Sequence, residues 1–233
     1  MEDFSAWNGA EPPVGETLTG RFARLEKLSA DRHGATLFEA FAGHDPLWEF
    51  IGWGPFPTAQ DFHTWATAYS ATPGFCYYAI CDAQTGAPKG QAALMRMKPA
   101  QGVIEVGGIT YAPTLQRQPA ATEAMILLMR WAFAHGYRRY EWKCDARNLP
   151  SRRAAQRLGF SYEGIFRQHM VVKGKNRDTA WFAITDKDWP RLNEAYEAWL
   201  SPTNFDERDH QKTSLSTLTA PIRVTSDPAL TAI

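Results

Sequence analysis

Apolar and polar positions change their spacing repeatedly along this chain, and each change marks an element. In "SADRHGATLFEAFAG" the apolar Leu37, Phe38 and Phe41 recur at helical spacing, and Gly43 offers a stop. "TAQDFHTWATAYSA" repeats the pattern, with Phe62, Trp65 and Tyr69 on one face and Thr58 placed to cap the start. "PAATEAMILLMRWAFAHG" predicts a third helix that opens on Pro119 and stops at Gly136. Two more helices are expected, in "NLPSRRAAQRLGF" and "TDKDWPRLNEAYEAWL". Between them the period falls to two. "TGRFARLEKL", "FCYYAICD", "KGQAALMRMK" and "GVIEVGGITY" read as strands. "YRRYEWKCD" sets apolar Tyr140, Trp142 and Cys144 against polar Glu141, Lys143 and Asp145, as a half-buried strand does. "SYEGIFRQHMVVKG" and "RDTAWFAITD" form a hairpin around "KGKN". "PLWEFIGWGPFP" is a Pro/Gly loop loaded with aromatics.

The order is therefore strand, two helices, three strands, helix, strand, helix, two strands, helix. A strand–helix–strand–helix centre predicts an α/β fold with a mixed, partly parallel sheet of about six to seven strands and helices on both faces. The Gly-, Pro- and acid-rich residues 1–16 read as an arm, and 17–201 as the domain. The Ser/Thr/Ala/Pro-rich stretch 202–233 is expected as a mostly extended tail. No internal repeat is visible.

Composition narrows the classes. Of 233 residues, 44% are hydrophobic and 13% aromatic, which is globular. Lys+Arg and Asp+Glu stand at 25 each, which argues against a general polyanion binder; no nucleic-acid partner is expected. Cys76 and Cys81 lack a companion pair at zinc-finger spacing, so neither a metal nor a disulfide framework is expected. The acidic start has no apolar signal-peptide core, and no apolar run is long enough to span a bilayer. The expected location is cytoplasmic, with no membrane partner.

The candidate chemistry sits where strands feed helices. In "TYAPTLQRQPAAT" a strand enters the third helix through a short loop. First-turn N–H groups and the helix dipole make such a junction an anion site. Ala120 and Ala121 let a phosphate approach, Thr122 adds a hydroxyl and Arg117 a charge. The plain alternative is an ordinary βα loop, and the Gly-x-x-x-x-Gly-Lys of a P-loop is absent. In "NLPSRRAAQRLGF", Asn148 and Ser151 are good caps, which is again the plain alternative to ligand binding.

Taken together, "GGITYAPTLQRQPAATEAM", "GYRRYEWKCDARNLPSRRAAQRLGFSYEGIFRQ" and their spacing resemble the GNAT acetyltransferase superfamily. The similarity is greatest to its ribosomal-protein N-terminal acetyltransferase (RimJ/RimL-like) branch and spans about residues 17–200. Its most specific part is Asn148, Ser151, Ala155, Leu158, Gly159, Phe160, Glu163 and Gly164. The resemblance implies a splayed central sheet, acetyl-CoA as co-substrate, and direct acetyl transfer to a primary amine, either a protein N-terminus or a small molecule. It maps the pyrophosphate loop onto Gln116, Arg117, Gln118, Pro119, Ala120 and Ala121, with Pro119 replacing a glycine and removing one N–H donor. It gives Asn148 a contact to the pantetheine arm and Ser151 the role of proton donor to the leaving thiolate. Family habit implies a monomer or homodimer.

Transfer needs an unprotonated amine, hence a route for its proton. Glu105 is the first candidate base, sharing a strand face with Gly107, Ile109 and Tyr111; the equal alternative is an exposed strand residue paired with a basic neighbour. Glu163 and His169 follow. In the resembled fold the segment between the first two helices borders the acceptor, which offers Trp48, Trp53 and Phe56 as an apolar wall; core packing is the competing reading. Arg177 and Asp178 are expected to bridge each other or order their loop. Cys144 reads as a small buried residue. Two functions stay open: an acetyl-CoA-dependent N-acetyltransferase, or a catalytically silent acyl-CoA-binding module of the same fold.

Overall fold

A computed structural model describes residues 3–208 and 210–231. Eight strands form one sheet, in the order β1 (Leu18–Thr19), β2 (Ala23–Lys27), β3 (Phe75–Asp82), β4 (Pro88–Lys98), β5 (Val103–Tyr111), β6 (Arg139–Asp145), β8 (Lys175–Thr185) and β7 (Ser161–Val172). The strand beyond the expected six to seven is β1, a two-residue piece that folds back on β2. Only β5 and β6 pair in parallel, joined through α3 (Pro119–Ala134); every other neighbour is antiparallel. A parallel pair needs a crossover, and a helix supplies it.

The two faces carry different helices. On one, α3, α4 (Leu149–Arg157), α5 (Trp189–Leu200) and the short α6 (Leu215–Thr219) bury Ile104, Val106, Tyr140, Trp142, Phe182 and Ile184 of the sheet. α3 is apolar around most of its circumference, because the sheet lies on one side and α5 on another. Its buried Glu123 is matched by the backbone N–H groups of Arg21, Phe22 and Ala23, at 2.8, 2.6 and 2.8 Å. A carboxylate so satisfied is tolerated in a core. On the other face, α1 (Ala30–Phe41) and α2 (Ala59–Ser70) cover Tyr77, Ala79, Cys81, Ala93 and Met95 of β3 and β4. Thr58 and Asp61 cap α2 reciprocally, as Thr58 was expected to.

The stretch after Pro202 is not an extended tail. It holds α6 and a final turn, α7 (Pro228–Thr231), and it packs back on the domain. Leu215 is buried against the α3 core. Asp227, fully buried, takes a bidentate ion pair from Arg152 of α4, at 2.7 and 2.6 Å. Composition misread this stretch because its few anchors, Leu215, Thr219 and Asp227, are spread among polar residues whose partners lie far away in sequence. The arm also docks. Ala10 N–H donates to Pro99 O (3.0 Å), Glu11 N–H to His135 O (3.0 Å), and Trp7 Nε1 to Ala100 O (2.9 Å). Among the described residues no helix is long and apolar enough to cross a membrane.

Candidate active site

The site begins with a defect in the sheet. The β4–β5 register shifts between Gln91 and Ala93, opposite Gly107 to Thr110, and Gly108 there has φ +59. A Cβ at Gly108 would lie 3.3 Å from both the Trp53 and Tyr77 rings. A left-handed backbone pressed against two aromatics suits only glycine. The parallel pairing of β5 with β6 ends at Val106↔Trp142, although β5 runs on to Tyr111 and β6 to Asp145. The two strands therefore splay. Residues 107–111 keep an edge with no strand partner, whose backbone groups are free to bind an extended amide chain or a developing oxyanion.

Helix starts flank the splay on both sides. At α3, Arg117 adopts φ +61, and the N–H groups of Gln118 and Ala121 are already given to Leu115 O (3.3 Å) and Gln118 O (3.1 Å). Pro119 has none to give. The N–H groups of Arg117 and Ala120 remain for a phosphate. Gln116 is exposed and donates to Tyr111 O at 3.2 Å. Thr122 is not open: it is buried, and its hydroxyl accepts from Arg157 Nη2 at 2.9 Å. Ala121 is buried too, and Ala120 half-buried. Burial pulls the Arg157 guanidinium below its usual pKa range. It adds positive charge beneath the first turn of α3, and its place before "LGF" gave no sign of that.

At α4, capping and ligand binding draw on different atoms of Asn148. Its Oδ1 accepts from Ser151 N–H at 3.1 Å, capping the helix. Its Nδ2 is left to donate. Ser151 Oγ accepts from Trp142 Nε1 at 3.0 Å, which fixes the oxygen and leaves the O–H free to donate. Beside it, burial pushes the Cys144 thiol up to about 11, with the Ser151 hydroxyl pulling the other way. Cys144 thus stays a thiol at neutral pH.

Glu105 is 2% exposed, not on the surface as its plain reading had it, and it pairs with basic neighbours as that reading expected. Its Oε1 meets Arg96 Nη1 at 2.5 Å and its Oε2 meets Lys143 Nζ at 2.9 Å. Lys143 continues to Glu141 (2.6 Å), Glu141 to Arg139 (2.7 Å), and Arg139 to Glu163 (2.5 Å). For Glu141, burial pushes the carboxyl up, but hydrogen bonds from Lys143 and Arg139 outweigh it and leave it below its ordinary value. His169 is exposed and shares a 2.9 Å contact with Thr179 Oγ1. Sequence reasoning missed Arg96 and Lys143. Their signal was the run of charged residues at period two on neighbouring strands, which becomes a chain only once β5 and β6 are paired.

Of the expected acceptor wall, Trp53 reaches the β5 bulge; it stacks on Trp65 at 5.4 Å, and its Nε1 is buried without a partner. Trp48 and Phe56 pack edge to face at 5.2 Å in the core of the α1–α2 side. With Phe38, Phe41, Phe62 and Asp45 they line a cavity of about 440 Å³. The tip of the β7–β8 hairpin reaches this loop, where Lys173 Nζ donates to Trp48 O at 2.9 Å. Among the described residues no group of three or more His, Cys, Asp or Glu is placed to hold a metal ion.

The β4–β5 bulge and the β5–β6 splay, flanked by two helix starts, frame the candidate site, and comparison with known proteins gives its family. Residues 23–161 match the model of the Acetyltransferase (GNAT) domain, and the chain belongs to that family. A GCN5-related N-acetyltransferase from Brucella melitensis is 46% identical over 92% of this chain and 98% of its own, with a TM-score of 0.89. A GNAT-family protein from Chromobacterium violaceum is 40% identical over 82% of this chain and 96% of its own, with a TM-score of 0.78. RimL, a ribosomal-protein alpha-N acetyltransferase, shares the fold at 18% identity, a TM-score of 0.65, and 76% and 99% coverage. No curated protein sequence matches the chain.

Proposed function

We propose that this acetyltransferase uses acetyl-CoA and acts on a primary amine by direct attack. The observation that carries the reading is the splay between β5 and β6 with a free-donor helix start on each side. The residues fit the co-substrate: Arg117 and Ala120 offer N–H groups and Arg157 positive charge to the pyrophosphate, while Asn148 Nδ2 and the open edge of 107–111 offer partners to the pantetheine amides. When bound, acetyl-CoA supplies an acetyl group activated as a thioester. Ser151, its oxygen held by Trp142, directs its O–H to the departing sulfur. Both Glu105 oxygens lie in ion pairs, but Oε2 accepts no hydrogen bond, so Glu105 removes the amine proton at Oε2 or through water. A protein N-terminus and a small-molecule amine both remain within this reading. Cytoplasmic location is inferred with it.

Ser151→Ala is the test. Steady-state kinetics with acetyl-CoA and a mixed panel of amines and N-terminal peptides should show kcat lowered about 100-fold, with KM for acetyl-CoA little changed. An unchanged kcat removes Ser151 from catalysis. The ion pairing of Glu105 and Glu163 favours one second reading, a silent acyl-CoA-binding module. Tight acetyl-CoA binding by calorimetry with no transfer to any amine would select it.

A further inference from the structure

Arg177 stands apart from the other shielded cations of this protein. It lies on β8 opposite Met170 of the hairpin and is half-buried, and its Nε is sealed from solvent without a hydrogen-bond partner. No carboxylate lies within 4.0 Å of it, and it makes no hydrogen bond among the described residues. Of the two roles expected for Arg177 and Asp178, bridging each other or ordering their loop, the bridge does not form. Asp178 accepts instead from Gln168 N–H at 2.7 Å and Asn176 Nδ2 at 3.0 Å, ordering the hairpin.

After burial, the groups that act on Arg177 are Cys144, Asp145 and Glu105, which favour its charge, and Arg96, which opposes it. Each of those carboxylates is already taken. Asp145 accepts from Arg147 N–H, Nε and Nη2 at 2.9, 3.0 and 2.8 Å, and Glu105 is held by Arg96 and Lys143. Burial lowers the pKa of Arg177, Arg96 adds to that, and Cys144, Asp145 and Glu105 only partly offset it. A guanidinium is always charged, so the fold leaves a desolvated positive group with no ion-pair or side-chain hydrogen-bond partner among the described residues.

Two further donors on this side are unmet. Trp53 Nε1, on the ring that touches Gly108, and Trp181 Nε1, on the ring that carries Lys143 at 4.0 Å, are both buried without a partner. Arg and Trp side chains only donate. The planar fork of arginine matches a carboxylate with two parallel bonds.

We propose that the acceptor amine carries a carboxylate and that Arg177 binds it, so that substrates of this enzyme are anionic amines. This rests on the acyltransferase reading above. The carboxylate has two sources, the α-carboxylate of a free amino acid or an acidic side chain near a peptide N-terminus.

Paired substrates test it. One arm compares free amino acids with their C-terminal amides; the other compares peptides with Asp or Glu at the first or second position with their Asn or Gln counterparts. In at least one arm the acid should exceed its amide by about 10- to 100-fold in kcat/KM, mainly through KM. Arg177→Gln should erase that ratio, and Arg177→Lys should restore part of it. KM for acetyl-CoA and transfer to neutral amines should stay near their original values. Acid-to-amide ratios near one in both arms, alongside measurable transfer, overturn the anionic-acceptor proposal and leave the acyltransferase reading standing. An equal loss on acids and amides in Arg177→Gln overturns the role of Arg177. Absence of transfer to every amine, neutral ones included, overturns the acyltransferase reading and this proposal with it. The comparison of substrates on the unmodified protein depends on no variant being well folded.

Discussion

Arg152 and Arg177 are both shielded guanidiniums, on opposite faces of one sheet, and they are treated in opposite ways. Arg152, on the side of α3 to α6, has two bonds to the fully buried Asp227 and a third to Ala146 O. Arg177, on the hairpin side, has none. The difference extends across each face. On the α3 side, Glu123 is met by three N–H groups, and Tyr196 OH finds Leu158 O at 2.5 Å. On the other, α1 and α2 sit on β3 and β4, while over β5 to β8 the surface is a chain of charges ending in unmet donors. The comparison teaches that one face spends its polar groups on holding α4 and the chain's end in place, while the other leaves some of them available.

Breaking the matched pair should give the largest effect. Arg152→Ala leaves Asp227 charged and buried with the Ala229 N–H but no cation beside it, and should cost about 3–5 kcal/mol in chemical denaturation. Replacing both by leucine should cost far less than either single change. Glu105→Gln comes next: it frees Arg96 but leaves Lys143 with Glu141, so a loss of about 1–3 kcal/mol is expected. The same variant should lower kcat for amine transfer, and an unchanged kcat would leave Glu105 a purely structural anion. Asn148→Ala removes the cap of α4 and should cost about 0.5–2 kcal/mol. It should also raise KM for acetyl-CoA, a change that a cap alone does not require.

The smallest effect concerns His33, buried where α1 meets the sheet. Burial holds its imidazole below the ordinary 6.5, against the pull of Glu26. Below that ordinary value the unfolded chain takes up a proton that the folded one resists, so stability falls as pH drops from 7 toward 5. His33→Gln should flatten that slope, with a difference below about 1 kcal/mol by thermal unfolding across pH.

Most of the frame was legible beforehand. Period-two and period-3.6 runs are local, and "TAQD" announces its own cap, so each α-helix of the described residues up to Leu200 appears where the pattern put it. The candidate motif around Asn148 and Ser151 was visible because its members lie only a few residues apart, whereas the left-handed Gly108 of the β5 bulge was not singled out. What no local pattern could announce is pairing across distance. Arg152 and Asp227 are 75 residues apart, and Glu105 meets Lys143 only because β5 and β6 lie side by side. The order of residues determined which segments are helix, which are strand, and where donors would gather at helix starts. Only the folded sheet decided which charges would be neutralised and which left free, because a charge finds its partner in space, through the register of strands and the reach of a returning chain end.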